Sequence, residues 1–370
     1  MKKSHLLAGT ALATLMSVPA LAGPAEISFG GQVNLGLFSV DDDKETEPTI
    51  GDSAVVNYSQ LNIMGGSTLD SGIKVGFEAQ FYLDSHEDDD FEETFAFLEG
   101  GFGRIELGSA YSANYKMSYT APWFVPGNGV DSPNIILNSK YDAGGVDAST
   151  TTIIRDTETS TKINYFTPSV NGLQFAFSFT PDTDSKNAGG LTVLDDERSY
   201  EDIVEVAFAY TTQISAIDLG VSAAFSQGTA GGQGEAKGQH DPNNYRVGLE
   251  LSTLGVTLGG GYSRSETNSV GEVDAGTGAV TSYSQDTIET WTAGVAYEIG
   301  KFTLGVAYLE SEREYQGGEK AEWSFLQLGG TYNLAQGVNL SIVVDTTEAT
   351  DKAADKIDNT SAGVIIGLSF

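Results

Sequence analysis

Residues 72–83 read GIKVGFEAQFYL, and this run decides the fold. Ile73, Val75, Phe77, Ala79, Phe81 and Leu83 fall on one side of an extended chain, with Lys74, Glu78 and Gln80 on the other. Successive side chains of a strand point to opposite faces, so this is a strand with one greasy face and one wet face. Upstream, EISFGGQVNLGLF (26–38) sets Ile27, Phe29, Val33, Leu35 and Leu37 against Glu26, Ser28, Gln32 and Asn34. Downstream the period returns in Leu173, Phe175, Phe177 and Phe179, and again in Tyr245, Val247, Leu249 and Leu251. It closes the chain in Val364, Ile366, Leu368 and Phe370. Sixteen such segments can be counted along the sequence. Near Trp323 and Phe325 the alternation slips, which reads as a bulge.

The connections sort themselves. Odd-numbered ones are long, acidic or rich in Gly and Ser, while even-numbered ones are short. An up-and-down barrel places all its long loops at one rim and all its short turns at the other. A sandwich or a propeller has no reason to do so. Alternation alone leaves open which face points outward: a soluble protein turns the apolar face in, a bilayer turns it out. The wet face is built of Gly, Ser, Gln, Asn, Thr and isolated charges, a very small-residue exterior for a soluble protein. The expectation is an all-β, 16-stranded antiparallel transmembrane β-barrel. Closure is what a bilayer demands, because an open edge leaves backbone groups unpaired in hydrocarbon. Tyr82, Tyr210, Tyr262, Tyr297, Tyr308, Tyr332 and Phe370, toward segment ends, read as an interfacial girdle.

The N-terminus gives the compartment. Lys2 and Lys3 precede an apolar run from Leu6 to Val18, and Ala20-Leu21-Ala22 supplies a small-x-small cleavage site. Residues 1–22 read as a signal peptide and 23–370 as one barrel domain. Thr10, Thr14, Ser17 and Pro19 interrupt the run, which falls short of the roughly 20 residues a spanning helix needs. Lys and Arg number 19 against 51 Asp and Glu, a net charge of −32; without Lys2 and Lys3 the balance is 17 − 51 = −34. Such an excess argues against nucleic acid as a partner. There is no cysteine, hence no disulfide and no thiolate metal site.

Enzyme signatures are missing. His86 and His240 remain after processing, neither in a catalytic or metal motif, and no G-x-S-x-G elbow occurs. GGQGEAKG at 231–238 imitates a phosphate loop, but no strand leads into it and no helix pattern follows. Asp41-Asp42-Asp43 and Asp88-Asp89-Asp90 offer oxygen ligands that could take calcium, without the spacing of an EF-hand, and otherwise read as solvated loop charge. No cofactor is expected. The stretch 110–159 breaks the two-residue period for about fifty residues. An irregular insert of that length is either functional or a large surface loop. Here it reads as a loop folded into the barrel mouth, narrowing a water-filled hole.

With these features in place, the chain resembles the general porins of Gram-negative outer membranes, within them the alphaproteobacterial (Rhodobacter-type) group. The residues that carry the likeness are EISFGGQVNLGLF (26–38), FAFLEGGFGRIELGSAYS (95–112), INYFTPSVNGLQFAFSF (163–179) and GVIIGLSF (363–370). The resemblance implies a homotrimer, an inward-folded third long loop forming a pore eyelet, and a terminal Phe370 read by the barrel-assembly machinery. It implies an outer-membrane location reached through the periplasm, among outer-membrane lipid and lipopolysaccharide. The Pro-Glu-Phe-Gly-Gly motif of enterobacterial porins is absent from the insert, so the eyelet's placement does not carry over.

In this family selectivity comes from opposed charges at a constriction. The insert supplies Asp131, Asp142, Asp147, Asp156 and Glu158 as loop carboxylates. The wet strand faces supply Lys74, Arg104, Lys162 and Arg246 as a basic wall. The expected function is passive diffusion of ions and small hydrophilic solutes, preferring cations at low salt and less so as salt screens the hole. The alternatives are a substrate-specific channel, which would want a row of aromatics or a basic ladder along the lumen, and an outer-membrane hydrolase or adhesin barrel.

Overall fold

The computed structural model describes residues 25–42, 53–83, 91–133, 151–155, 157–183, 200–232, 237–273, 280–351 and 356–370. The proposed signal peptide, Asp43, Asp88 to Asp90, Asp142, Asp147 and Asp156 lie outside them.

Alternating segments become strands in chain order. They begin with β1 (Glu26–Asp42), β2 (Ser53–Thr68), β3 (Lys74–Tyr82), β4 (Phe91–Gly100) and β5 (Gly103–Ser109). The insert then contributes a one-turn helix, α1 (Ala113–Lys116), and the two-residue strands β6 (Asn128–Gly129) and β7 (Ser132–Pro133). The wall resumes with β8 (Thr161–Phe166), β9 (Leu173–Asp182), β10 (Tyr200–Ile214), β11 (Ile217–Ala230) and β12 (Asn243–Thr253). It ends with β13 (Val256–Val273), β14 (Val280–Ile299), β15 (Phe302–Glu314), β16 (Lys320–Ala335), β17 (Val338–Thr350) and β18 (Lys356–Ser369).

All of these except β6 and β7 form one closed antiparallel barrel, in which β5 pairs with β8 across the insert and β1 pairs with β18. The closing seam runs from Gln32↔Ser369 to Asp42↔Asn359, and Phe370 exchanges backbone hydrogen bonds with Gly31 at 3.1 and 3.2 Å. Closure leaves no strand edge unpaired, as a bilayer requires. Hairpins at one rim are tight. Between β12 and β13, Leu254 (φ 50°) and Gly255 (φ 84°) both adopt the left-handed backbone that two-residue hairpin turns need.

The greasy face points out. Phe29, Leu107 and Ile342 are 65%, 62% and 62% exposed, while Gln327, Ser178 and Asn164, on the opposite faces of their strands, are fully buried. Among the described residues no helix is long and apolar enough to cross a membrane; the apolar band belongs to the strands. Aromatic pairs mark two levels of the outer surface: Tyr245 with Tyr262 and Trp291 with Tyr308 at one, Phe302 with Tyr332 at the other. Trp291 and Tyr297 stand six residues apart on β14, about 20 Å of strand, the spacing of aromatic girdles around an apolar band. Tyr82 does not belong to them. It shares the inward face of β3 with Lys74 and Glu78 and stands 6.1 Å from the Tyr58 ring inside the barrel.

Two expectations change at β16. Its register with β15 and β17 runs unbroken through Trp323 and Phe325, and the one irregularity comes later, between Asn333 and Ala335. There is no bulge at the aromatics. Trp323 (1% exposed) and Phe325 (4%) simply face inward. They join Phe38, Tyr58, Leu309, Val343 and Ile365 in an apolar floor, on which Ala121, Phe124, Val125 and Val130 of the insert are packed. The inner face is therefore mostly polar, with an apolar floor where it receives this part of the loop, and burial of those side chains holds the loop down.

Candidate functional site

The insert enters the barrel from β5 and lies along its inner wall. Ser112 caps α1, its hydroxyl accepting from Tyr115 N, and Ala113 N donates to Ser178 Oγ on β9. Tyr119 N donates to Ser222 Oγ on β11. Further along, Phe124 O accepts from Thr331 Oγ1 on β16, and Asn128 Nδ2 reaches Asp345 Oδ2 on β17. The wall is cut to fit. A Cβ at Gly248 would strike the Tyr119 carbonyl, and one at Gly305 would enter the Phe124 ring. The small residues of the wet face are thus seats for loop backbone and side chains, not merely a lining.

The described loop leaves the wall of β3, β4 and β5 to face the lumen, and there the charges collect. Cross-strand register puts Lys74, Glu99 and Arg104 in one row on the inward face, with Glu106 two residues higher on β5. Lys74 Nζ pairs with Glu99 Oε1 at 2.9 Å. Arg104 reaches three carboxylates: Glu106 through Nε at 2.8 Å, Glu99 through Nη1 at 3.3 Å and Glu78 through Nη2 at 3.4 Å. Its guanidinium also lies 4.0 Å from the centre of the Phe97 ring. From the loop, Lys116 bridges Glu106 at 2.8 Å and Glu93 at 3.3 Å and sits 4.3 Å over Phe95. Burial alone would lower the Lys116 pKa; the Glu93 and Glu106 carboxylates outweigh it and hold the ammonium above its ordinary range. Above this lattice Tyr111 and Tyr115 stack at 3.9 Å, the Tyr111 hydroxyl meets Glu92, and Arg155 lies 5.9 Å over the Tyr115 ring.

The residues singled out from the sequence divide accordingly. Lys74 and Arg104 stand on this open wall, where the structure adds Glu78 and Glu99, with Glu93 and Glu106 buried behind Lys116 of the loop, both 3% exposed. Lys162 and Arg246 also face inward, but the loop covers them; they are 2% and 1% exposed. Arg246 donates from Nη2 to Tyr119 O (2.9 Å), from Nε to Thr152 O (3.1 Å) and from Nη1 to Ser222 Oγ (3.3 Å). Asp131 is 1% exposed and turned away from open water, its Oδ1 accepting from Thr152 N (2.8 Å) and Thr152 Oγ1 (2.6 Å). Burial pushes the Asp131 carboxyl above its usual range, with the Thr152 hydrogen bonds pulling the other way. Glu158 is exposed, 3.9 Å from Arg155. Among the described residues, then, the wall of β3 to β5 carries carboxylates beside Lys74 and Arg104, and the loop carries Lys116 and Arg155 along with Asp131 and Glu158. The wall carboxylates lie in clean strands and were legible from parity alone: Glu78, Glu99 and Glu106 share the faces of Lys74 and Arg104.

Comparison with known proteins agrees with this geometry. OmpT, an outer-membrane protein of Vibrio cholerae solved in its trimer form, superposes with a TM-score of 0.62 at 13% identity, covering 94% of this chain and 100% of that one. An anion-selective porin from Comamonas acidovorans gives 0.57 at 17% identity, over 94% and 100%. Identities this low show a shared fold alone. In sequence, an uncharacterized protein of Rickettsia felis is 24% identical over 241 residues, a match covering 57% of this chain and 52% of that protein. The chain thus spans about half the length of the curated relatives it matches. A sequence model of the Gram-negative porin family matches residues 8–352. The chain belongs to the Gram-negative porin family.

Proposed function

We propose that this channel passes ions and small hydrophilic solutes by passive diffusion, prefers cations at low salt, and works as a homotrimer. One observation carries the preference: among the described residues of the open wall and its facing helix, every cation is neutralised. Lys74, Arg104 and Lys116 are each bound to at least one of Glu78, Glu93, Glu99 and Glu106, four carboxylates against three cations. Among the described residues of that wall and helix an anion meets no uncommitted positive charge, and a chain with a net charge of −32 repels it further. The fold does not decide the sign, since an anion-selective porin shares it. The trimer reading is supported by OmpT, solved as a trimer. Phe370, 67% exposed beside the closing seam, suits a handle for barrel-assembly machinery.

The test is the reversal potential of purified protein in a planar bilayer under a potassium chloride gradient. Cation preference is expected at low salt, shrinking as the Debye length falls from about 10 Å at 0.1 M to about 3 Å at 1 M. A clear anion preference would overturn the reading.

A further inference from the structure

Lys162 projects inward from β8 beneath the loop, almost wholly shielded from water. Its ammonium nitrogen lies within hydrogen-bond distance of four backbone carbonyls, those of Ala110 (2.6 Å), Ser160 (2.8 Å), Glu158 (2.8 Å) and Thr157 (3.1 Å), which share its three N–H donors. Ala110 opens the insert and Thr157 to Ser160 close it, so one cation gathers both ends. Glu158 takes a left-handed backbone (φ 30°), unusual for a residue with a side chain, where the turn bends around the ammonium. The counter-charge comes through Thr157. Its carbonyl faces Lys162, and its hydroxyl donates at 2.7 Å to Glu205 Oε1 on β10, a carboxylate 1% exposed. A ring of carbonyls around a dehydrated cation is the way proteins replace an ion's water shell. An ammonium so enclosed cannot meet a permeating ion.

We propose that Lys162 is a positioning residue that takes the place of a bound cation at the base of the loop, and that it sets the bore and steadiness of the channel rather than its charge preference. This rests on the reading of the protein as an open channel. Truncation to Lys162→Ala leaves an empty carbonyl cage beside Glu205, which a small primary ammonium fits and a quaternary one, having no N–H, does not.

The experiment records Lys162→Ala and wild-type channels in planar bilayers in sodium chloride, with ethylammonium chloride or tetramethylammonium chloride added. The expected result is a severalfold rise in open-channel noise with closures at lower voltage, an unchanged reversal potential in a salt gradient, and quiet channels restored by ethylammonium alone. Three results would overturn the proposal: a variant that behaves as wild type, a reversal potential moved toward cations with noise unchanged, or noise that ethylammonium calms no better than tetramethylammonium. If the variant does not assemble, amide exchange on the wild type decides. Residues 112–117 and 157–160 should exchange as slowly as the strands they touch, and exchange at open-loop rates would contradict the proposal. A wild-type barrel that passes no current fails the channel reading instead, and leaves amide exchange to judge Lys162.

Discussion

Glu106 is the residue on which the open wall turns. One of its oxygens takes Arg104 and the other takes Lys116 and Asn164, tying strand to loop. Glu106→Gln leaves two cations short of a partner and makes the described wall neutral. Arg104 keeps Glu78 and Glu99 and Lys116 keeps Glu93, so the cation-to-anion permeability ratio should fall by roughly twofold rather than invert. A reversal potential that does not move would contradict this. Asp131 gives a prediction of opposite kind. A carboxyl whose folded pKa is raised favours the fold below its unfolded value near 3.9 and loses that contribution as pH rises through the folded value. Asp131→Asn keeps the acceptor for Thr152 without the charge. Its apparent Tm in detergent should exceed wild type at pH 7 by about 2–4 °C and match it near pH 3; equal melting at both would contradict the assignment. At this scale the sequence told which face a residue takes but not what covers it. Lys74 and Lys162 share an inward parity, yet one is solvated and the other desolvated, because the loop ends that enclose Lys162, Ala110 and Thr157 to Ser160, lie outside the alternating strands and leave no periodic trace.

Among the elements, the strands were legible and the loop was not. Period-two alternation located all sixteen barrel strands, and turn chemistry located their hairpins. The run at Trp323 and Phe325 misled because alternation was read as apolar against polar, whereas here both faces of β16 carry apolar side chains, one for lipid and one for the loop. Its two-residue spacing was intact throughout. The glycines of the wet face likewise read as mere smallness until Tyr119 and Phe124 were placed over them. Gly305→Leu should therefore lift the loop from the wall and lower single-channel conductance while the barrel still assembles; an unchanged conductance would show that the loop does not rest there. The β12–β13 turn offers a gain. Leu254 holds a left-handed backbone at 89% exposure, and Leu254→Asn should stabilise the hairpin by about 1 kcal/mol, read as a higher apparent Tm.

For the whole molecule, the sequence left a choice between a dry-centred soluble barrel and a wet-centred membrane one, and burial makes it. Phenylalanines, leucines and isoleucines lie on the outside between two aromatic levels, and glutamines, serines and charges lie within. Such an exterior calls for hydrocarbon around whatever neighbouring subunits leave uncovered, so the protein should need detergent or lipid to stay dispersed. On the proposed reading, the polar interior lets water and ions pass wherever the loop leaves room. Single-channel recording in symmetric potassium chloride tests that claim most directly. Insertion should produce discrete upward current steps, in groups of three for a trimer of open pores, with conductance rising with salt concentration as for a water-filled hole. A folded, detergent-purified barrel that inserts yet carries no current at any salt concentration would contradict it.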